Sequence, residues 1–205
     1  MDGPSHYFSS QPESTSERRL VKLRLSDVAA DLWTDRGVFA GDRVDSGTLA
    51  LLQEVGPPPA GPVDLLDLGC GYGPIAVALA RRAPQARVWA VDVNERALEL
   101  ARDNAFLNGC TNVHTCSPMD VPADLRFAAV YSNPPVRIGK EPLHDLLLEW
   151  LERLSSDGAA YIVVQRHLGS DSLAAWLEAR GFAVRRLASK RGYRVLEVSP
   201  SGGSA

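Results

Sequence analysis

The sequence predicts an open α/β sheet, mostly parallel, with helices on both faces and one antiparallel strand at an edge. Three observations carry that expectation. From Val63 onward, short apolar runs alternate with amphipathic stretches at helical spacing. A glycine-rich turn, Asp67-Leu-Gly-Cys-Gly-Tyr-Gly73, follows the first of those runs. The last two runs, Phe182–Leu187 and Tyr193–Val198, have no helix between them and so read as an antiparallel pair.

The elements follow in order. Val21–Leu25 alternates apolar and basic residues, as a short edge strand does. Leu32–Phe39 reads as a second short strand around a turn at Asp35-Arg36-Gly37, and Ser46–Val55 has helical spacing. Gly56-Pro-Pro-Pro-Ala-Gly-Pro62 is a stiff linker that must end that helix. Val63–Leu68 is a buried strand and Gly73–Arg82 its helix; Arg87–Val91 and Glu95–Leu107 repeat the unit. Asn108-Gly109 stops that helix, because glycine accepts a left-handed backbone. Val113–Cys116 and Phe127–Ser132 are the next strands. Leu143–Leu154 is an amphipathic helix ending near Asp157-Gly158, Ala159–Gln165 is a strand, and Leu173–Arg180 is a helix stopped by Gly181. The expected organisation is a tail over 1–19, an extension over 20–62 that packs on the ligand site, a catalytic domain over 63–199 and a disordered tail over 200–205.

Composition bounds the function. The 205 residues suffice for one sizeable core, and 45% hydrophobic with 23% charged residues is ordinary for a globular chain. A net charge of −3 gives no global pull toward nucleic acid, so any such surface must be local. Cys70, Cys110 and Cys116 show no metal-binding spacing and fit a reduced, cytoplasmic protein. No apolar run approaches a membrane span, and the polar N-terminus is unlike a secretory signal. Neither metal nor membrane is expected.

The glycine turn is the candidate cofactor site. Gly69, Gly71 and Gly73 let the backbone turn tightly and approach a ligand without Cβ clashes, with Cys70 between them. Asp92 ends the next strand, where a carboxylate can bind ribose hydroxyls, and Val93 follows it. Nicotinamide enzymes share that logic, but two details favour S-adenosylmethionine (SAM). The third glycine comes two residues after the second rather than three, and the acidic Asp67 would repel pyrophosphate while suiting ammonium and sulfonium cations. Asp120 reads either as a contact for the adenine amino group or as a solvated loop acid beside Pro122.

Ser132-Asn133-Pro134-Pro135, at the end of the fourth strand of the series, is the candidate reacting site. Asn133 offers a side-chain carbonyl, and its own or the Pro134 main-chain carbonyl lies close by. The prolines fix the chain. An exocyclic amine conjugated with a base is a poor nucleophile. Two acceptors on its hydrogens align the lone pair and stabilise the positive charge that grows on nitrogen. No strong base is required, because the methylated cation loses its proton readily. Pro135, Val136, Arg137 and Lys140 then border the substrate mouth, the last two ready for phosphate.

With these motifs in place, the chain resembles the small-domain methyltransferases, which include the bacterial 16S ribosomal RNA guanine-N2 methyltransferases and their single-domain archaeal relatives. The likeness runs roughly from Tyr7 to Val198. It is most specific at Thr34–Phe39, Val44–Thr48, Asp67–Gly73, Val91–Asn94, Ser132–Lys140 and Gly192–Val195. The resemblance implies a seven-stranded Rossmann-like class I methyltransferase sheet, with Asn133 on the target amine and Phe39 and Thr48 lining the cofactor pocket. It implies ribosomal RNA or a ribosomal subunit as partner. The sequence departs from the wider class at Val136, where many members carry an aromatic that stacks on the base. Stacking then falls to Phe39, Tyr7, Phe8 or Val136 itself. Met119 stands where an acid would flank Asp120, and Ala128 where Asp is frequent. The two-domain relatives carry an extra RNA-positioning domain that has no counterpart in these residues.

The reading is SAM-dependent methylation of an exocyclic amine, N2 of a guanine in ribosomal RNA. Methylation of a protein glutamine amide is the alternative enzyme, and a non-catalytic SAM- or RNA-binding module the alternative class. Arg180, Arg185, Arg186, Lys190, Arg191 and Arg194 lie in an acid-free stretch that is either an RNA surface or a solvated edge; Arg166 and His167 follow the fifth strand. His144 reads as structural rather than catalytic.

Overall fold

In a computed structural model, described over residues 16–38, 43–135 and 138–201, the chain forms a two-stranded hairpin and a seven-stranded sheet. The hairpin is β1 (Arg19–Arg24) and β2 (Ala29–Thr34), paired so that Val21 meets Leu32. After helix α1 (Ser46–Glu54) come β3 (Asp64–Leu68), α2 (Pro74–Arg82), β4 (Arg87–Val91), α3 (Glu95–Leu107) and β5 (Val113–Cys116). The chain continues through β6 (Phe127–Ser132), α4 (Lys140–Leu151), β7 (Leu154–Gln165), α5 (Ser170–Glu178), β8 (Phe182–Lys190) and β9 (Tyr193–Pro200). The strand order is β5-β4-β3-β6-β7-β9-β8; β9 runs antiparallel between β7 and β8, forming the antiparallel end that the helix-free pair predicts.

The central strands are buried on both faces, so alternate residues feed two apolar layers. Leu65, Ala129, Tyr131 and Val163 join α1, α2, α3 and the hairpin on one side. Leu66, Leu68, Val130, Ile162 and Val164 join α4 and α5 on the other. The hairpin is stapled to α3 by two asparagines. Asn104 accepts from the Trp33 N–H at 2.6 Å and donates to the Trp33 and Tyr72 carbonyls, both at 2.8 Å; Asn108 donates to the Asp31 carbonyl at 2.9 Å.

Three of the element boundaries that differ from expectation have a local reason. The second strand covers 29–34 rather than 32–39. Asp35 ends it by turning its carboxylate onto the Arg36 and Glu17 N–H groups and the Ser16 hydroxyl. The fourth helix begins at Lys140, because Pro142 is tolerated in a first turn, and Leu154 belongs to the following strand. Asp157-Gly158 is no helix stop but part of a register irregularity between β6 and β7. A Cβ on Gly158 would lie 2.9 Å from the Phe127 carbonyl oxygen.

Candidate active site

Sheet register assembles the site. Leu68 pairs with Val91 on one side and with Ser132 on the other, so Gly69, Asp92 and Asn133 leave neighbouring strands at one level. The Ser132 hydroxyl donates to the Leu68 carbonyl at 2.8 Å and ties the two strand ends together. The site lies at the carboxyl ends of the parallel strands, where open α/β sheets bind ligands.

The glycine turn folds over β4. The N–H groups of Gly69 and Cys70 donate to the Val91 carbonyl at 2.9 and 3.0 Å, and Gly71 N–H donates to Asp92 Oδ2 at 2.9 Å. Gly69, Gly71 and Gly73 all have positive φ (71°, 53° and 85°). Their roles differ. A Cβ on Gly71 would enter open space, whereas one on Gly73 would sit 3.1 Å from Ala101, so Gly73 serves the close packing of α2 on α3. Gly69 faces Pro135, with 4.0 Å between its Cβ direction and the proline ring.

Two expected cofactor residues turn inward. Cys70 is buried; its carbonyl accepts from Gly73 N–H, and its thiol donates to the Gly71 carbonyl at 3.5 Å. Asp67 is 0% exposed rather than presented as a surface charge. Its Oδ2 accepts from the Ala76 N–H at 2.9 Å, capping α2, whose own N-cap Gly73 has no side chain to do so. Oδ1 is buried with no hydrogen-bond partner among the described residues. Burial, with the Asp92 carboxylate adding to it, pushes the Asp67 pKa up to about 8, against the hydrogen bond from Ala76. Asp92 is also raised by burial, although the N–H groups of Asn94 and Gly71 oppose the shift. Beyond Asp92, Val93 is 47% exposed, and Met119, after β5, is 92% exposed. Asp120 accepts from the Ser117 hydroxyl at 2.6 Å.

Asn133 is half-buried. Its Nδ2 donates to Asp45 Oδ2 at 2.8 Å and to Thr48 Oγ1 at 3.0 Å. The same Asp45 oxygen caps α1, accepting from Gly47 and Thr48 N–H at 2.7 and 3.1 Å. Thr48, expected beside the cofactor, is thus a partner of Asn133. Asp45 lies in the Val44–Thr48 stretch that carries the family likeness, but sequence reasoning gives a role there only to Thr48. An aspartate before a helix is a routine cap, and nothing local distinguishes one that also reaches a distant side chain. Tyr193 likewise has no role in the sequence reading, yet a Cβ on Gly47 would lie 2.8 Å from its ring. The Tyr72 hydroxyl, buried and without a hydrogen-bond partner among the described residues, lies near enough to Asp45 for that carboxylate to add to the upward push of burial on its pKa. Pro134 is buried behind Asn133, and the Pro135 carbonyl accepts from Ile138 N–H at 3.1 Å. Tyr7, Phe8, Phe39, Val136 and Arg137 lie outside the described residues.

The acid-free basic stretch meets its acids in space. Arg185 pairs with Glu197 at 2.6 Å and Arg186 with Asp171 at 3.1 Å; Arg194 also contacts Asp171, Lys190 pairs with Glu54, and Arg180 lies over Trp176. Most of it is therefore a paired edge. At the carboxyl end of the sheet Lys140, Arg166, His167 and Arg191 are exposed, and Arg166 N–H donates to Gly192 at 2.7 Å. His144 stacks on Trp176 with ring centroids 3.8 Å apart, a structural role. Among the described residues no cluster could hold a metal, the three cysteines are free, and no helix is long and apolar enough to cross a membrane.

Comparison with known proteins gives the family and the fold. The methyltransferase small domain matches residues 29–197. The uncharacterized protein YbxB of Bacillus subtilis (strain 168) is 34% identical over 196 residues, spanning 94% of this chain and 97% of its own. Ribosomal RNA small subunit methyltransferase C of Ectopseudomonas mendocina (strain ymp) is 32% identical over 187 residues, 84% of this chain but 55% of that one. The chain thus spans about half the length of that enzyme. In fold it is similar to the T. thermophilus 16S rRNA N2 guanine methyltransferase RsmC, solved with AdoMet and guanosine. The TM-score is 0.78 at 24% identity, over 92% of this chain and 52% of that one. The chain accordingly belongs to the methyltransferase small-domain family and is an S-adenosylmethionine-dependent methyltransferase.

Proposed function

We infer that this methyltransferase acts on an exocyclic amine, N2 of a guanine in ribosomal RNA. The observation that carries the reading is Asn133 beside the glycine turn with its Nδ2 already engaged, which leaves the side-chain carbonyl as the group to meet a donor. The named relatives that act on small-subunit ribosomal RNA support the choice of substrate.

The residues fit SAM. Asp67 Oδ1, buried and with no hydrogen-bond partner among the described residues, is where a cationic donor would be met once the carboxyl gives up the proton it holds without ligand, and Gly71 leaves a cradle that a Cβ would fill. Asp92 would take ribose hydroxyls on its remaining lone pairs, and the exposed Val93 and Met119 would flank the adenine. SAM, when bound, supplies an electrophilic methyl on a sulfonium. Asn133 Oδ1 accepts one hydrogen of the target amine, and the main-chain carbonyl of Asn133 or Pro134 accepts the other. Together they direct the nitrogen lone pair and stabilise its developing positive charge. The surplus proton leaves to water, so no general base is needed. Pro135 would border the base, and Lys140, with Arg166 and Arg191, would meet phosphates.

The test is transfer of labelled methyl to ribosomal subunits, naked ribosomal RNA and protein fractions, followed by nucleoside and amino-acid analysis. N2-methylguanine is expected. Label in a glutamine side chain would move the assignment to a protein substrate, and SAM binding without transfer to any fraction would make the chain a binding module. In the same assay Asn133→Ala should lose on the order of 10²–10³ in rate while SAM affinity stays near wild type.

A further inference from the structure

We propose that Asp45 is a positioning residue for methyl transfer: with Thr48 it locks the Asn133 amide so that the carbonyl oxygen, not the amino group, faces the target amine. The proposal rests on Asn133 being the acceptor for that amine.

The two ends of an asparagine amide have nearly the same shape but opposite hydrogen-bonding character. A half-turn would present the NH₂ group to the substrate NH₂ and replace attraction with donor–donor repulsion. The site therefore needs a device that fixes the amide. Asp45 Oδ2, 2.8 Å from the amide, provides it, because a carboxylate accepts and does not donate, so its partner must be the amino nitrogen. Thr48 Oγ1 at 3.0 Å takes the second hydrogen. Rotating the amide would place its oxygen against the carboxylate oxygen.

The anchor is itself held. Asp45 Oδ2 accepts from two N–H groups in the first turn of α1, so it cannot swing away without uncapping the helix. Helix α1 is in turn fixed by buried Leu51 and Leu52 and by Arg82, which donates to the Leu52 carbonyl at 2.9 Å while forking onto Asp27 at 2.7 and 3.0 Å. Gly47 is required at this point. A Cβ there would lie 2.8 Å both from Asp45 Oδ2 and from the Tyr193 ring, so a side chain would collide with the anchor and with the ring beside it. The charge adds a second effect. A carboxylate accepting from the amide N–H polarises the amide and makes its carbonyl a stronger acceptor for an amine that is becoming positive.

Two substitutions separate anchoring from helix capping. Serine and asparagine both cap helices well. Asp45→Ser keeps the cap but is too short to hold the amide, whereas Asp45→Asn keeps an oxygen at the Oδ2 position. In single-turnover transfer, Asp45→Ser should lower the rate about 10- to 100-fold, somewhat less than loss of a whole preorganised group. Asp45→Asn should recover most of that loss, and SAM and RNA dissociation constants should stay within about twofold of wild type, since a positioning residue acts on the reacting state. Because Asp45 acts through Asn133, Asp45→Ser should cost less than about twofold in an Asn133→Ala background. Equal losses in both backgrounds, or no loss in either, would overturn the proposal. Thr48→Val, which removes the other anchor without changing shape, should lower the rate severalfold and provides the same cycle should Asp45→Ser fold poorly. The Asn133 side-chain NH₂ resonances give a readout independent of substrate. They should exchange slowly with solvent in the wild type and fast in Asp45→Ser. If the wild type methylates no RNA, the substrate reading fails while this exchange still decides the anchoring; unchanged exchange would sink it.

Discussion

Replacing Asp67 with asparagine should flatten the dependence of stability on pH. In the folded protein Asp67 is completely buried and its Oδ1 has no hydrogen-bond partner among the described residues, so the charged form is disfavoured and the pKa rises from 3.8 to about 8. In the unfolded chain the carboxyl titrates at its ordinary value. Between those two values the folded state holds a proton that the unfolded state has released. The stabilisation from this group is therefore complete below the ordinary carboxylate pKa and is lost as pH rises through about 8. A difference of about four units, at about 1.36 kcal/mol each, is on the order of 5 kcal/mol, comparable to the whole stability of a small domain. Asp92, also raised by burial, acts in the same direction. Asp27, lowered first by the Arg82 hydrogen bond, acts only as pH falls below the ordinary range and leaves this window clear. In Asp67→Asn the carbonyl can still accept from Ala76 N–H, and the amide nitrogen imposes a penalty that does not vary with pH. Denaturant unfolding of the ligand-free protein at several pH values between about 5.5 and 8.5 is the assay. The wild type should lose up to about 1.4 kcal/mol per pH unit more than the variant. Parallel curves would show that Asp67 does not hold the proton, and the reasoning from its burial would fall.

Gly71→Val should abolish measurable SAM binding by calorimetry, since φ of 53° disfavours a branched residue and its side chain would fill the open cradle; unchanged affinity would remove the glycine turn from the cofactor site. Gly73→Val should instead lower Tm, by an amount corresponding to roughly 1–3 kcal/mol, through its collision with Ala101 in α3, and an unchanged Tm would refute the packing role. Replacing Arg166 and Arg191 with alanine should reduce the salt dependence of RNA binding by about one unit per lost phosphate contact, with SAM affinity unchanged. The paired Arg185 makes the control, because its partner Glu197 already occupies it; an equal effect from Arg185→Ala would show that the strand edge, not the sheet end, carries RNA.

Periodicity and punctuation made the elements and their order legible. Val63–Leu68, Arg87–Val91 and Phe127–Ser132 match or nearly match the observed spans, because a strand buried on both faces is apolar through most of its length, and Glu95–Leu107 and Val113–Cys116 match the observed helix and edge strand. Boundaries failed where a residue has two meanings. Gly158 stops helices, but here it sits at a bulge against the Phe127 carbonyl, and Pro142 breaks helices, but here it opens one.

What the sequence determined by itself was the chemistry available: a glycine turn after one strand, an acid after the next and Asn-Pro-Pro after a third. Backbone freedom, charge and a rigid amide are properties of those residue types wherever they stand. What only the tertiary structure decided was how that chemistry is aimed. Register brought Gly69, Asp92 and Asn133 to one level. Burial turned Asp67 from a surface charge into a carboxyl that keeps its proton and caps α2. Contacts across the fold supplied Glu54, Asp171 and Glu197 to arginines and a lysine that look unpaired along the chain, and brought Asp45 to Asn133. Desolvation and hydrogen-bond partnership depend on what lies within a few ångströms, and for residues this far apart in sequence only the folded sheet determines that.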